Sequence, residues 1–261
     1  MNTLSRRRFG ALVGSMMAGG LVPAAVAATP DYPVRPVRIV VPFAAGSATD
    51  TFARVLANEL AQRLGRNFIV DDRPGAFGQI AAVHVAKSPA DGYTLFLTTN
   101  STHSSNQHLY KSLQYDPVKD FEPVARTANL PFMVVVGAGS PVKSFADLLA
   151  LARSRPEGLT YAMASTSSLI ASETIAKLGG VKLSGVMYKA SPQAIGDVAA
   201  GRVDFMAADF GTAMPQMSGG RVRVLAVADA GGSALLPNVP AVAETLKGFS
   251  CGSWNGLFVP A

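Results

Sequence analysis

The chain has 261 residues, 49 % apolar and 15 % charged, with 25 glycines and 17 prolines. That excludes a disordered or fibrous chain and predicts a turn-rich globular protein, long enough for two lobes. The formal charge of +6 includes three arginines in residues 1–28; beyond them 20 basic residues meet 17 acidic ones, scattered without a stripe or interleaved aromatics, so no nucleic acid is expected as a partner.

Residues 1–28 read as a signal peptide. Ser5-Arg6-Arg7-Arg8-Phe9 is followed by an uncharged, mildly apolar run from Gly10 to Val22 and by small residues, Ala24-Ala25-Val26-Ala27-Ala28. This is a basic start, an apolar stretch and an Ala-x-Ala-type cleavage site. The paired arginines before Phe9 match a twin-arginine signal, with an ordinary secretory signal as the alternative. Either export machinery is thus an expected partner. Cleavage near Ala27 or Ala28 places the mature chain in the periplasm. The segment is too short and too glycine-rich for a stable membrane anchor.

Val37 to Phe43 is an apolar run that reads as a buried strand. Small residues follow, Ala44 to Ala48. A helix then begins, with Phe52, Val55, Leu56, Leu60 and Leu64 on one face. Such a turn presents unpaired N–H groups and the positive end of a helix dipole, which favours an anion; an ordinary turn that binds nothing is the alternative. Asn67 to Val70 is a second strand and Asp71 to Gly78 a turn. Gln79 to Lys87 is a helix with Ile80 and Val83 inward, and Tyr93 to Thr98 is a third strand. Residues 101–126 read as a polar connection with a short helix from Gln107 to Ser112. Leu130 to Val136 is a strand, and Ser144 caps a helix from Phe145 to Ser154.

The first pattern then recurs. Leu159 to Met163 is a strand, Ala164 to Ser168 a hydroxylated loop and Leu169 to Leu178 a helix. Gly185 to Tyr188 is a strand, Lys189 to Pro192 a turn, Gln193 to Ala200 a helix and Val203 to Ala207 a strand. Val224 to Ala228, Pro237 to Leu246 and Trp254 to Val259 are expected to return to the first lobe. Two β-α-β-α-β units predict an α/β fold of two doubly wound lobes, with ligand beyond the carboxyl ends of the strands. Connections near Arg126 to Val136 and Val222 to Ala228 would form a two-crossing hinge, the geometry of a type II-like periplasmic binding protein. The expected division is 1–28 signal peptide, 29–126 with 225–261 first lobe, and 127–224 second lobe.

No common catalytic or phosphate-binding frame is present. His84, His103 and His108 lack metal-ligand spacing with acids, and His103 and His108 read as surface residues. Cys251, the only cysteine, reads as a small half-buried apolar residue, and Trp254 as core. No metal, cofactor or catalytic residue is expected. Asp50, in the first helical turn, suits capping and loop bracing, or else a base. Asp204 and Asp209 flank a strand end, in a solvated, hinge-bridging or ligand-contacting role. Ser165, Thr166, Ser167 and Ser168 exceed what capping needs and point to ligand contact. Lys189 either pairs with a carboxylate or is simply exposed.

Pro42-Phe43-Ala44-Ala45-Gly46-Ser47-Ala48-Thr49-Asp50, Arg73-Pro74-Gly75-Ala76-Phe77-Gly78, Ala90-Asp91-Gly92-Tyr93, Asp120-Phe121-Glu122-Pro123, Gly201-Arg202-Val203-Asp204, Leu236-Pro237-Asn238-Val239-Pro240 and Trp254-Asn255-Gly256-Leu257-Phe258-Val259-Pro260-Ala261 occur in this order. The ordered set resembles the tripartite tricarboxylate transporter receptors, also called Bug-type periplasmic solute-binding proteins. The resemblance implies a non-enzymatic, monomeric receptor that closes on a small organic carboxylate and delivers it to membrane permease subunits. It implies that backbone amides and ordered water hold the carboxylate. With the residue reading, the expected ligand-binding set is Ala45, Gly46, Ser47, Ala48, Thr49, Asp50, Gly75, Ala76, Phe77, Gly78, Ser165, Thr166, Ser167, Ser168, Lys189 and Asp204. Ser47 stands where the family commonly has a second glycine. Phe77 replaces a usual small residue and either narrows the pocket or stacks on an aromatic acid. The second-lobe loop lacks the usual glycines. Family members continue past Pro260-Ala261 into further helices, so a truncated, non-binding paralogue is one alternative. A periplasmic enzyme using Asp50 or a Ser165 to Ser168 hydroxyl is the other.

Overall fold

The structure, a computed structural model, describes residues 32–261, so the expected signal peptide lies outside the described residues. Every strand and helix named below belongs to one compact unit, Arg35–Ala261.

The first half of that unit runs β1 (Val37–Val41), α1 (Ala48–Leu64), β2 (Phe68–Asp72), α2 (Gln79–Ala86), β3 (Thr94–Thr99) and the short α3 (Asn106–Leu109), which stops three residues short of the Ser112 expected. β1 lies between β2 and β3, parallel to both. The second half runs α4 (Phe145–Ser154), β5 (Leu159–Met163), α5 (Thr166–Gly179), β6 (Leu183–Met187), α6 (Ser191–Ala199), β7 (Phe205–Asp209), α7 (Phe210–Ser218), β8 (Val222–Val227) and α8 (Val242–Thr245). Here β5 lies between β6 and β7, again parallel to both. The repeated pattern in the sequence is therefore a repeated topology, each unit with its first strand central.

Two antiparallel strands join the halves. β4 (Phe121–Gly137) is 17 residues long, and β9 (Gly252–Pro260) pairs with both β3 and β4. Through Pro131, β4 pairs with β9; from Phe132 onward it pairs with β7 and β8. One strand thus spans both half-sheets. The apolar pattern marks only Leu130 to Val136 of it, because residues 122–126 are exposed and lack an apolar run; their backbone is organised by β9, distant in sequence. Val224 to Ala228 also departs from expectation: β8 pairs with the second part of β4 and stays with the second half-sheet. The return is made by β9.

Helices cover both faces of each half-sheet, as parallel strands require. Val37, Ile39 and Val41 pack with Ala53 and Ala57 of α1, while Val40 and Phe96 pack with Ala81, Ala82 and Val85 of α2. Alanines allow these helices to approach the strands closely. Val55, Leu64 and Ile80, expected inward, are 58 %, 43 % and 54 % exposed. In the second half, Phe145, Leu148, Leu149 and Ile175 cover one face, and Ile195, Val198 and Ala213 the other. His103 and Trp254 are half-buried. The His103 ring stacks on Phe258 at 3.9 Å between centroids, and burial pushes its pKa down to about 4. It is not the surface histidine its polar neighbours suggest.

Candidate functional site

Four helices begin at the carboxyl ends of strands and point their N-termini into the space between the half-sheets. Each start is built locally. Ser47 caps α1 by accepting from the Asp50 N–H at 3.2 Å, and Ser165 caps α5 by accepting from the Ser168 N–H at 3.2 Å. Pro192 opens α6, and Asp209 caps α7 by accepting from the Thr212 N–H at 2.8 Å. The next N–H groups, on Ala48, Thr49, Thr166 and Ser167, have no acceptor within their own helices. They supply donors and partial positive charge where an anion would sit.

The cleft among these helix starts is narrow, with a cavity volume of about 30 Å³. Hydroxyl side chains dominate its wall: Ser47, Thr49, Thr99, Ser101, Ser165, Ser167, Ser191 and Ser253, with Ala48, Phe43, Leu130 and Phe132 supplying apolar surface. Among the described residues Asp209 is its one ionisable lining residue, and burial raises its pKa despite the donors of Thr212; no described lysine or arginine lines the cleft. An anion here would be held by dipoles and hydroxyls.

The Ala44–Ala48 loop is braced from behind. Gly46, at φ +78°, donates its N–H to Asp50 Oδ2 at 2.7 Å. Arg54 lies 2.8 Å from Asp50 Oδ1 and 3.0 Å from Asp72 Oδ2. Burial, then the nearby Asp50 charge, raises the Asp72 pKa to about 6. Across the cleft, Thr166 donates to Ser101 Oγ at 2.7 Å and Ser167 to Asn100 Oδ1 at 3.1 Å. Ser253 of β9 also donates to Asn100 Oδ1. A Cβ added to Gly211 would fall 2.6 Å from Ala48 Cβ, so the starts of α1 and α7 touch.

A second cavity adjoins the first, with a volume of about 270 Å³. One wall is Pro42, Phe43 and the Gly75–Gly78 turn; the other is Ala164, Met187, Tyr188 and Lys189. Phe43 lines both hollows. The turn carries four successive positive φ values: Gly75 +133°, Ala76 +48°, Phe77 +50° and Gly78 +89°. Ala76 and Phe77 are L residues in left-handed geometry, which costs about 1–2 kcal/mol each. A Cβ on Gly78 would meet Thr102 Cγ2 at 2.8 Å and Pro42 Cβ at 2.9 Å, so that position needs glycine for space as well as for its backbone.

Of the expected ligand set, Ser47, Ala48, Thr49, Ser165 and Ser167 line the first cleft, and Gly75, Ala76, Phe77, Gly78 and Lys189 the second cavity. Ala45 and Gly46 are exposed on the braced loop, Gly46 near Pro192. Asp50 is buried behind that loop, Thr166 bridges to Ser101, and Ser168 donates to the Ala162 carbonyl at 3.2 Å. Asp204 is not brought to either hollow. It precedes β7, where it accepts from Thr160 N at 2.7 Å, Thr160 Oγ1 at 2.8 Å and Arg155 at 3.0 Å. Asp209, at the other end of the same strand, reaches the cleft instead. Five residues of strand separate the two by roughly 17 Å. Thr99, Ser101, Leu130, Phe132, Ser191 and Ser253 also line the cleft without having been expected there. Ser191 had a signal, being the residue before a helix-opening proline; Ser253 had none.

Among the described residues no group of three or more His, Cys, Asp or Glu is arranged to hold a metal. Cys251 is half-buried, and burial pushes its thiol up to about 11.

Residues 52–261 match the family described as "Tripartite tricarboxylate transporter family receptor". A UPF0065 protein of Bordetella bronchiseptica is 38 % identical over 240 residues, covering 92 % of this chain and 71 % of that protein. Among solved structures, Rhodopseudomonas palustris Rpa4515 with adipate superposes with a TM-score of 0.86 at 37 % identity, over 88 % of this chain and 78 % of the other. MatC (Rpa3494) of Rhodopseudomonas palustris with bound malate gives 0.82 at 33 % identity, over 88 % and 79 %. With its match running through most of the chain and its mixed sheet carried on the same two-lobed frame, the protein belongs to the tripartite tricarboxylate transporter receptor family.

Proposed function

We propose that this chain is a periplasmic solute receptor that captures a small organic carboxylate between its lobes and delivers it to the permease subunits of a tripartite tricarboxylate-type transporter. The observation that carries this reading is the convergence of four helix N-termini on a hydroxyl-lined cleft without a cation. The adipate and malate complexes among the structural relatives support the ligand class. The work is binding without a chemical step. The lobes are β1 to β3 with β9, and β5 to β8, hinged on β4.

The carboxylate enters against the first-turn N–H groups of α1, with Ser47 and Thr49 beside it. The start of α5, with Ser165 and Ser167, then closes over it. Closure follows from differential affinity: only the closed form offers donors from both lobes. Thr166 to Ser101 and Ser167 to Asn100 add hydrogen bonds that exist only when the lobes meet. Export by the twin-arginine or the general route delivers the protein to the periplasm, where it acts as a monomer.

The test is a thermal melt of the chain against mono-, di- and tricarboxylates and their neutral amides. A ligand at about a hundred times its Kd stabilises by roughly 2.7 kcal/mol, a shift on the order of 5–10 °C for this size. A melt raised by an acid and not by its amide is expected. A melt that no acid moves would overturn the reading.

A further inference from the structure

We infer that the preferred solute is an aromatic carboxylate, its acid group in the hydroxyl-lined cleft and its ring in the adjoining cavity against Phe77. This rests on the carboxylate reading above and adds the chemistry of the ligand's body. Phe43 forms part of both walls, so a ligand reaching from one hollow into the other passes an aromatic face. The second cavity is roomier than an acid group requires, at about 270 Å³. Three of its side chains are aromatic: Phe43, Phe77 and Tyr188. All three are half-buried, and among the described residues no other ring packs on any of them. Phe43 and Tyr188 also pack in part on the flanking cores, and aromatic side chains lining a cavity suit the faces and edges of another ring.

Hydrogen bonds hold the Tyr188 side chain and the Phe77 backbone in place. The Tyr188 hydroxyl donates to Asp197 Oδ2 at 2.8 Å. The Phe77 carbonyl accepts from Asn106 Nδ2 at 3.1 Å, and Asn106 is itself buried. Phe77 also sits at φ +50°, a conformation that glycine adopts freely and phenylalanine does not. A glycine at 77 would favour the turn. The chain instead holds a ring in the cavity wall against that preference. Strain of this kind, at a ligand clamp, is sustained where the side chain makes a contact that matters. Among the described residues Lys189 is the only charged one lining this cavity, and it is exposed, leaving the wall around the ring uncharged.

The test is calorimetric titration of the chain with benzoate, phenylacetate, cyclohexanecarboxylate, hexanoate and adipate. Cyclohexanecarboxylate keeps the size of benzoate without the π-face. The aromatic acids are expected to bind roughly three- to tenfold more tightly than the three aliphatic acids. Phe77→Gly and Phe77→Leu should bring that ratio close to one. The glycine variant relieves the left-handed strain, so it should melt no lower than the parent, and lost preference then reports the ring rather than misfolding. The ring assignment fails, with the receptor reading intact, if cyclohexanecarboxylate or adipate matches benzoate, or if aromatic preference survives both substitutions. If no acid binds the parent chain, both readings fall together.

Discussion

Asp50, Arg54 and Asp72 carry the binding loop from behind and set a pH dependence of their own. Asp50 holds Gly46 through its N–H, and Arg54 bridges the two carboxylates. Asp72 has a folded pKa raised to about 6 from 3.8, first by burial and then by the Asp50 charge. The folded protein therefore binds the Asp72 proton more tightly than the unfolded chain does. Its contribution is fully present below the unfolded pKa and is lost as pH rises through about 6. Asp72→Asn removes that loss and keeps the side chain's size. Solvent screening of a partly exposed carboxylate leaves only part of the shift's full value, so the variant should exceed the parent by about 1 kcal/mol at pH 7.5, or roughly 2–4 °C in Tm, with the gap closing as pH falls towards 4. Paired melts at the two pH values check this. A variant less stable than the parent at pH 7.5 would show that the Arg54 pair outweighs the burial of the charge.

At the level of elements, the contact between the starts of α1 and α7 decides how far the lobes close. Gly211 leaves space that a methyl group would fill, with Ala48 Cβ 2.6 Å and Ala48 Cα 3.2 Å from it. Gly211 is not at positive φ, so Gly211→Ala imposes no backbone strain of its own. Alanine in a helix is favoured over glycine by up to about 1 kcal/mol. The variant should therefore melt no lower than the parent without ligand, yet bind carboxylates at least about tenfold more weakly, because a well-packed contact does not absorb an extra methyl cheaply. Titration and melting of the one variant separate the two effects. Unchanged affinity would mean that this contact is not part of the closed state.

Across the whole molecule, the anion site depends on helix termini gathered from both halves rather than on a cationic side chain. Buried dipoles and hydroxyls are screened by salt far less than exposed charges are. Carboxylate affinity is accordingly expected to change by less than about threefold between roughly 50 mM and 500 mM salt, whereas a site built on an exposed lysine should weaken much more. Titration at the two salt concentrations distinguishes them, and a steep fall would point to Lys189 as the principal counter-charge. β4 makes the shared cleft possible, since one strand passes from pairing with β9 to pairing with β7 and β8.

Much of this was legible in the residues alone. The runs Val37 to Val41 and Leu159 to Met163, each ending in small or hydroxylated residues before a helix, determined two parallel units, although the second helix begins at Thr166, inside the loop expected to run to Ser168. Local sequence settles such matters because strand burial, capping and turn conformation are set within a few residues. Gly46, Ser47 and Ser165 could be read for the same reason. What the tertiary structure decided is which ends meet. Asp204 and Asp209 look alike in sequence, but strand direction sends only Asp209 to the cleft. Ser253 and Thr99 reach it because β9 returns beside β3, a pairing with no local signature. His103 looks exposed among polar neighbours until Phe96, Phe121 and Phe258 close around it. The helix starts are local properties of the chain; the cleft they share exists only through long-range strand pairing, which brings them to one point in space.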